Sequence, residues 1–107
     1  MYVKHSEIEE TDLGTGVTRK ILASGGGMMT VQFAFEKGAV GTPHTHVHEQ
    51  VGYVLQGRFE LTLGEDKTIM EAGDTYYVPS NTLHGVVALE DGVLLDVFTP
   101  QRQDFLE

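Results

Sequence analysis

The sequence contains no cysteine, which excludes disulfides, thiolate metal sites and cysteine nucleophiles. Proline is also scarce, with 3 residues in 107, whereas the 13 glycines exceed average usage and predict many tight turns. This balance favours an all-β chain with short loops. A chain of 107 residues is expected to form one domain. Such a domain buries about 60 to 70% of its unfolded surface, so neither a metal nor oligomerisation is needed to hold it together.

Basic residues are few, since 7 lysines and arginines stand against 16 acidic residues and give a formal net charge of -9. This charge disfavours phosphate backbones and anionic membranes as partners. The N-terminal residues 1–7 have no apolar signal core, and no run of about 18 apolar residues occurs anywhere. We therefore expect a soluble cytoplasmic protein that binds neither nucleic acid nor a membrane.

Short alternating strand patterns are separated by turn signals along the whole chain, and no stretch has a convincing helical period. Residues 1–16 are predicted to form an N-terminal arm or edge strand, and residues 17–106 the core. Gly57 and Arg58 have the composition of a hairpin turn. Besides the histidine strand discussed next, strands are predicted at residues 17–24, 28–36, 51–56, 59–63, 68–70, 75–78, 84–89 and 93–98. Turns at such short intervals are typical of an antiparallel sandwich or barrel.

A histidine-rich segment carries the clearest chemical signal. His44 and His46 are separated by one residue, and two such side chains point to the same side of an extended strand, where they can bind one metal ion. His84 and the oxygen donor Gln50 are candidates to complete a site that keeps a position open for water or substrate. His48 alternates in phase with His46, but a strand usually bends before the oxygen ligand, so we interpret His48 as a supporting or surface ring.

Glycines and a proline flank these candidate ligands at fixed distances. The first motif comprises Gly38, His44, His46, Gln50 and Gly57, and the second comprises Gly73, Pro79, Asn81 and His84. With this spacing the sequence resembles the cupin superfamily, whose fold is a small jelly roll with a metal in its mouth. The resemblance implies an all-β, single-domain cupin jelly-roll barrel, or double-stranded β-helix, over residues 1–107.

Two positions depart from the usual cupin pattern. Asn81 stands where glycine is usual, and asparagine is the residue that best replaces glycine at a positive φ angle. Gln50 stands where most cupins have a glutamate ligand. Three neutral histidines and a neutral amide leave a divalent ion its full charge, which favours redox-neutral, Lewis-acid chemistry. Nickel, zinc, iron, cobalt and manganese all suit such ligands, so we expect one divalent transition metal per chain.

Further segments resemble one branch of that superfamily, the pectin-degradation cupins of the KdgF type. They are residues 19–23, 44–50, 73–79 and 94–100, followed by Arg102, Asp104 and Phe105. That family opens and tautomerises the unsaturated uronate monomers released from pectin or alginate, giving linear keto-uronates. The resemblance implies a sugar-acid substrate, a metal held by three histidines and a glutamine, and an aspartate and a phenylalanine in the cavity. In this chain the corresponding residues are His44, His46, His84 and Gln50, with Asp96 and Phe98.

Asp96 is unusual because it interrupts an apolar strand. Alternation puts Leu94, Asp96 and Phe98 on one face of residues 93–98, and a carboxylate there is costly unless it is paired or functional. If that face lines the cavity, burial raises the pKa of Asp96 and makes it a usable general acid or base. Asp96 is then expected to move a proton, Phe98 to pack against the sugar, and Arg102 or Arg19 to pair with the substrate carboxylate.

Other functions and roles are compatible with the same residues. A different cupin enzyme, such as a dioxygenase or a sugar or keto-acid isomerase, is one alternative, although Gln50 argues against oxygen chemistry. A non-catalytic cupin that senses a metal or metabolite is another, which the absence of an effector domain disfavours. Asp96 can instead pair with a nearby arginine. Small cupins often pair, so we expect a homodimer, with a monomer as the alternative.

Overall fold

The computed structural model describes residues 1–106, and most of them lie in ten β-strands. The strands are β1 Glu10–Asp12, β2 Val17–Gly25, β3 Met28–Phe35, β4 Val40–His44, β5 Glu49–Gln56, β6 Arg58–Leu63, β7 Asp66–Glu71, β8 Thr75–Val78, β9 His84–Ala88 and β10 Gly92–Thr99. A short 3-10 turn, His5–Glu7, precedes them, and a single helical turn, α1 Gln103–Leu106, follows them. That helical turn was not predicted from the sequence.

The strands form two antiparallel sheets, which confirms the predicted all-β, single-domain architecture. One sheet has six strands in the order β1-β2-β3-β10-β5-β8, and the other has four in the order β4-β9-β6-β7. Their inner faces bury the apolar side chains that alternation predicts, because removing apolar surface from water is the main driving force of folding. The largest fully buried side chains are Met29, Val31, Val54, Phe59, Val78 and Phe98.

Turns occur at the glycines as predicted, but one of these turns does not form the predicted hairpin. β2 and β3 pair as a hairpin around the triple glycine, and β6 and β7 pair around Gly64. The predicted hairpin at Gly57 and Arg58 is wrong, because β5 and β6 lie in different sheets. Both sides of β5 are already occupied by β10 and β8, so the chain must cross to the other sheet. Gly57 makes this corner with φ of +86°, where a Cβ atom would lie 2.5 Å from the carbonyl oxygen of Asp91.

The histidine segment also differs from the prediction of one extended strand. His44 is the last residue of β4, whereas His46 lies in the loop before β5. The chain must leave the four-stranded sheet at this point and enter the six-stranded one, which ends the strand between the two histidines. Asn81 has φ of +60°, as expected for a residue at a glycine position.

No helix within residues 1–106 is long and apolar enough to cross a membrane.

Candidate metal centre and cavity

Three histidines from different parts of the chain meet at one end of the space between the sheets. His44 is paired with His84 across β4 and β9, and His46 reaches the same place from the following loop. The ring centres of His44 and His46 lie 4.5 and 4.6 Å from that of His84. One ring nitrogen from each histidine lies within 4.8 Å of the other two, so the three side chains can hold one metal ion.

Each of these rings is oriented by a backbone carbonyl two residues away. The Nδ1 atoms lie 2.8 to 2.9 Å from the carbonyl oxygens of Thr42, Thr82 and His48. Because a carbonyl oxygen only accepts, Nδ1 carries the proton and Nε2 keeps its lone pair, the arrangement typical of histidines that bind metals. Burial lowers the pKa of His46 and lowers the pKa of His84 to about 4, so these rings are neutral at neutral pH.

Gln50 supplies an oxygen beside the histidines. Its side chain, only 6% exposed on β5, hydrogen-bonds the carboxyl of Asp96 and points its Oε1 atom at Nε2 of His46, 3.1 Å away. Both of these atoms are acceptors, and Nε2 of His84 is buried without a hydrogen-bond partner. A cation would satisfy all three of these acceptor atoms. The donors, three imidazole nitrogens and an amide oxygen, fit a divalent transition metal.

A buried carboxylate lies next to this cluster. Asp96, on β10, is 3% exposed and accepts a hydrogen bond from the hydroxyl of Tyr76, 3.1 Å from its Oδ1 atom. Burial raises the pKa of Asp96 to about 6, although its hydrogen bonds with Gln50 and Tyr76 act in the opposite direction. Burial likewise raises the pKa of the Tyr76 phenol well above its ordinary value, so Tyr76 keeps its proton and acts as the donor. The pKa of this carboxyl is therefore close to neutral pH.

Except for His46, these groups line one cavity of about 310 Å³, a volume at the lower end of the range for small-molecule sites. Its polar groups gather near the histidines, and apolar side chains form most of the remaining wall. The polar lining comes from Thr15, His44, His84, Gln50, Asp96, Tyr76 and Arg102, and the apolar lining includes Phe33, Phe35, Leu61, Val86, Leu94, Phe98 and Phe105. The cavity therefore has the size and chemistry for a small polar molecule bound at one end.

Arg102 brings a positive charge to the cavity. Its guanidinium carbon lies 5.1 Å from the ring centre of Phe98 and 4.2 Å from that of Phe105, and the side chain is only 11% exposed. Its Nε and Nη2 atoms bond both carboxylate oxygens of Asp104, which lowers the pKa of that carboxyl. Arginine has five N–H donors, so N–H groups remain for a ligand.

The structure brings most of the sequence-predicted residues together but separates two of them. Arg19 does not line the cavity, and its guanidinium carbon packs 4.5 Å from the ring centre of Phe105. The His48 ring lies 5.4 Å from that of His46 and is outside the converging histidine cluster. Within residues 1–106, the carboxyl of Asp96 makes no ion pair with an arginine and hydrogen-bonds uncharged side chains instead.

Sequence reasoning missed the roles of Tyr76 and Phe105. Tyr76 is one of two adjacent tyrosines in β8, and strand alternation places one of them inward without saying which has a polar partner. The signal that could have found it is Gly52, since a glycine inside a strand often marks the close approach of another group. Phe105 lies in the unpredicted helical turn, whose position depends on packing against Phe33 and Phe98.

Comparison with known proteins agrees with this architecture. A family model described as a cupin domain matches residues 31–98, which contain all three clustered histidines and Gln50. The pectin degradation protein KdgF of Dickeya dadantii (strain 3937) is 45% identical over 107 residues, covering 98% of this chain and 97% of that protein.

Solved structures of similar proteins have the same fold. KdgF from a Halomonas species superposes with a TM-score of 0.93 at 42% identity, covering 98% of this chain and 97% of the other. An RmlC-like cupin from Shewanella frigidimarina NCIMB 400 superposes with a TM-score of 0.94 at 36% identity, covering 97% and 94% of the two chains. This chain therefore belongs to the cupin superfamily and, within it, to the family of the pectin degradation protein KdgF.

Proposed function

We propose that this protein is a metal-dependent enzyme that opens and tautomerises unsaturated uronate monomers, from pectin or alginate, into linear keto-uronates. The observation that carries the proposal is the buried carboxyl of Asp96, which contacts Gln50 beside the histidine cluster and faces the same cavity. Membership of the KdgF family supports a role in pectin breakdown. The metal-binding residues in this proposal are His44, His46, His84 and Gln50.

The reaction is an isomerisation and needs no oxidant or reductant. Opening the ring takes a proton from the anomeric hydroxyl, forms a carbonyl at the anomeric carbon and breaks the bond from that carbon to the ring oxygen, which becomes an enolate oxygen. Ketonisation of this enolate returns the proton to the other carbon of the former ring double bond. A bound divalent metal would supply positive charge that favours the negatively charged form of a sugar oxygen. Asp96 is the group that accepts and returns the proton. Its pKa, raised by burial to about 6, lies near the working range of a general acid-base residue.

The remaining cavity residues orient the sugar in this proposal. Phe98 lines the cavity with its ring 5.7 Å from that of His46, and offers apolar surface to the sugar ring. The N–H groups of Arg102 that Asp104 leaves free bind the substrate carboxylate, for which a planar guanidinium is well suited. Arg19 contributes indirectly, by packing against Phe105. The apolar wall limits the water that can compete with these contacts.

The experiment that tests this function follows the absorbance of an exhaustive lyase digest, whose unsaturated monomers lose their double bond as they linearise. Metal-loaded protein is expected to accelerate the decay, and NMR is expected to identify the product as the linear keto-uronate. Chelated, metal-free protein serves as the control and is expected to leave the spontaneous rate nearly unchanged. Decay at the spontaneous rate with loaded protein would contradict the proposal.

We further propose that two copies associate through the outer face of the six-stranded sheet. That face exposes the large side chains of Val51, Tyr53, Leu55 and Tyr77, which are 42 to 49% exposed on adjacent strands, with Glu49 at their edge. Apolar patches of this kind are typical of interaction surfaces, and a two-fold pairing would cover the same patch on both copies. Light scattering is expected to give twice the chain mass for the wild type and a single chain mass for Leu55→Lys. Ile69→Lys, on the other sheet, is the matched control.

A further inference from the structure

We propose that Tyr76 is a positioning residue, which fixes the carboxyl group of Asp96 in the cavity and depends on the absence of a side chain at Gly52. The inference rests on the proposed function, in which Asp96 moves the proton. The role of Tyr76 follows from three observations: its register in the sheet, the hydrogen bonds of Asp96, and the packing of its ring over Gly52.

The three residues form one row across the sheet. Asp96 on β10 is the register partner of Gly52 on β5, and Gly52 is the partner of Tyr76 on β8. Adjacent strands are about 4.8 Å apart, so Asp96 and Tyr76 lie two strand spacings from each other. A phenol is long enough to span that gap, and its hydroxyl reaches the Oδ1 atom of Asp96 at 3.1 Å.

Gly52 makes this crossing possible. A Cβ atom at position 52 would overlap the Cζ, Cε2 and hydroxyl atoms of Tyr76, so the ring occupies the place where any other side chain would be. Gly52 has no positive φ angle and needs no glycine for its backbone conformation. Space for the Tyr76 ring is therefore the local reason for glycine at this position.

The hydroxyl of Tyr76 and the amide of Gln50 together hold the Asp96 carboxyl. The oxygen of the same Gln50 amide faces His46. Removing the Tyr76 hydroxyl would leave the carboxyl with the Gln50 contact alone. A single contact restrains the rotation of the carboxyl about its side-chain bonds less than two contacts do. A proton-transfer group must be held close to its target, so such freedom lowers the rate of the chemical step more than substrate binding.

The next residue in the same strand provides a control. Tyr77 points to the outer face, is 49% exposed, and donates its hydroxyl to Glu49 on the surface. Tyr77→Phe therefore removes the same atom from the same strand without touching the cavity. A difference between Tyr76→Phe and Tyr77→Phe therefore reports on the buried contacts of the Tyr76 hydroxyl, which are with Asp96 and with Gln50.

The closing experiment compares wild type, Tyr76→Phe and Tyr77→Phe in the uronate assay, with thermal melting of each protein. We expect Tyr76→Phe to lower kcat about 10- to 100-fold with KM changed less than about threefold, as for other groups that orient a reacting residue. Tyr77→Phe is expected to keep both constants. Wild-type kcat and KM in Tyr76→Phe would overturn this inference alone, whereas an inactive wild type would overturn the proposed function itself.

Two further measurements keep the test independent of activity and of folding defects. The carboxyl carbon resonance of Asp96, assigned by its loss in Asp96→Asn, is expected to move in Tyr76→Phe and to stay in place in Tyr77→Phe. Gly52→Ala is expected to reduce kcat as Tyr76→Phe does, because it displaces the ring, and the double variant is expected to lose no more than either single one. An unmoved resonance, or fully additive losses in kcat, would contradict a shared role.

Discussion

The Oε1 atom of Gln50 lies 3.1 Å from the Nε2 atom of His46, although both atoms are hydrogen-bond acceptors. The proton of the His46 ring is on Nδ1, where the carbonyl oxygen of His48 accepts it. The amide of Gln50 cannot simply turn over, because its NH2 group faces the carboxyl of Asp96. Two acceptors this close repel each other unless both bind a cation, and this repulsion is the local physical reason to expect a metal here.

Metal binding is therefore expected to stabilise the folded protein. Nickel or zinc at about 100 times its dissociation constant should add about 2.7 kcal/mol to the free energy of unfolding, seen as a rise in melting temperature. His84→Ala, which removes a buried candidate ligand, should abolish most of that rise, and His5→Ala, on the exposed N-terminal turn, should keep it. An unchanged metal-dependent rise in His84→Ala would contradict the assignment of the site.

The neutral amide at position 50 is expected to be coupled to the carboxyl at position 96. Gln50→Glu would place a second carboxylate against Asp96 in a buried site, so it should lower the free energy of unfolding of metal-free protein by about 1–3 kcal/mol. Adding Asp96→Asn should recover at least half of that loss, because the amide and the carboxylate have then exchanged places. Urea unfolding of the two single variants and the double variant measures the coupling. Strictly additive losses would mean that the two side chains do not interact.

Arg102 is expected to act on substrate binding. Arg102→Lys keeps the positive charge but loses the planar donors and the stacking on Phe98 and Phe105, so KM should rise about tenfold with a smaller change in kcat. Arg58→Lys is the matched control, since Arg58 pairs with Glu71 on the exposed surface. Steady-state kinetics of both variants in the uronate assay make the comparison. A wild-type KM in Arg102→Lys would rule out a contact with the substrate carboxylate.

The corner at Gly57 is expected to be sensitive to a single methyl group. Gly57→Ala combines a positive φ angle with a Cβ atom 2.5 Å from the carbonyl oxygen of Asp91, and should cost about 2–4 kcal/mol of unfolding free energy. Gly73→Ala has the same backbone strain, with φ of +94°, but open space around its Cβ atom, and should cost about 1 kcal/mol. Denaturant unfolding measures both. Equal losses would show that the contact between Gly57 and Asp91 does not matter.

Local patterns predicted much of the fold. The period-two alternation in residues 93–98 put Leu94, Asp96 and Phe98 on one face, and these are the side chains that β10 buries. The hairpin at Gly57 failed because composition marks a turn without saying whether the next strand returns to the same sheet. That choice depends on β10, which comes some 35 residues later and occupies the side of β5 that a hairpin partner would need.

The sequence also predicted part of the candidate site. Motif spacing selected the three histidines that converge. It did so although His46 lies in a loop and not in a strand, because the motif fixes the number of residues between the histidines and not their secondary structure. The position of Tyr76 could not be predicted, since its contact with Asp96 requires the order of three strands that are distant in sequence. Strand spacing alone could not choose between Arg19 and Arg102, because both side chains pack against Phe105 and only the folded chain shows that Arg102 borders the cavity.

The most direct test of the proposed function is the rate at which metal-loaded Asp96→Asn removes the unsaturated-uronate absorbance, measured beside the wild type. Asp66→Asn, an exposed carboxylate on β7, is the matched control. We expect the wild type and Asp66→Asn to accelerate the decay equally, and Asp96→Asn to lose at least about 100-fold in kcat while it still binds metal. Acceleration by Asp96→Asn at the wild-type rate would contradict proton transfer by Asp96.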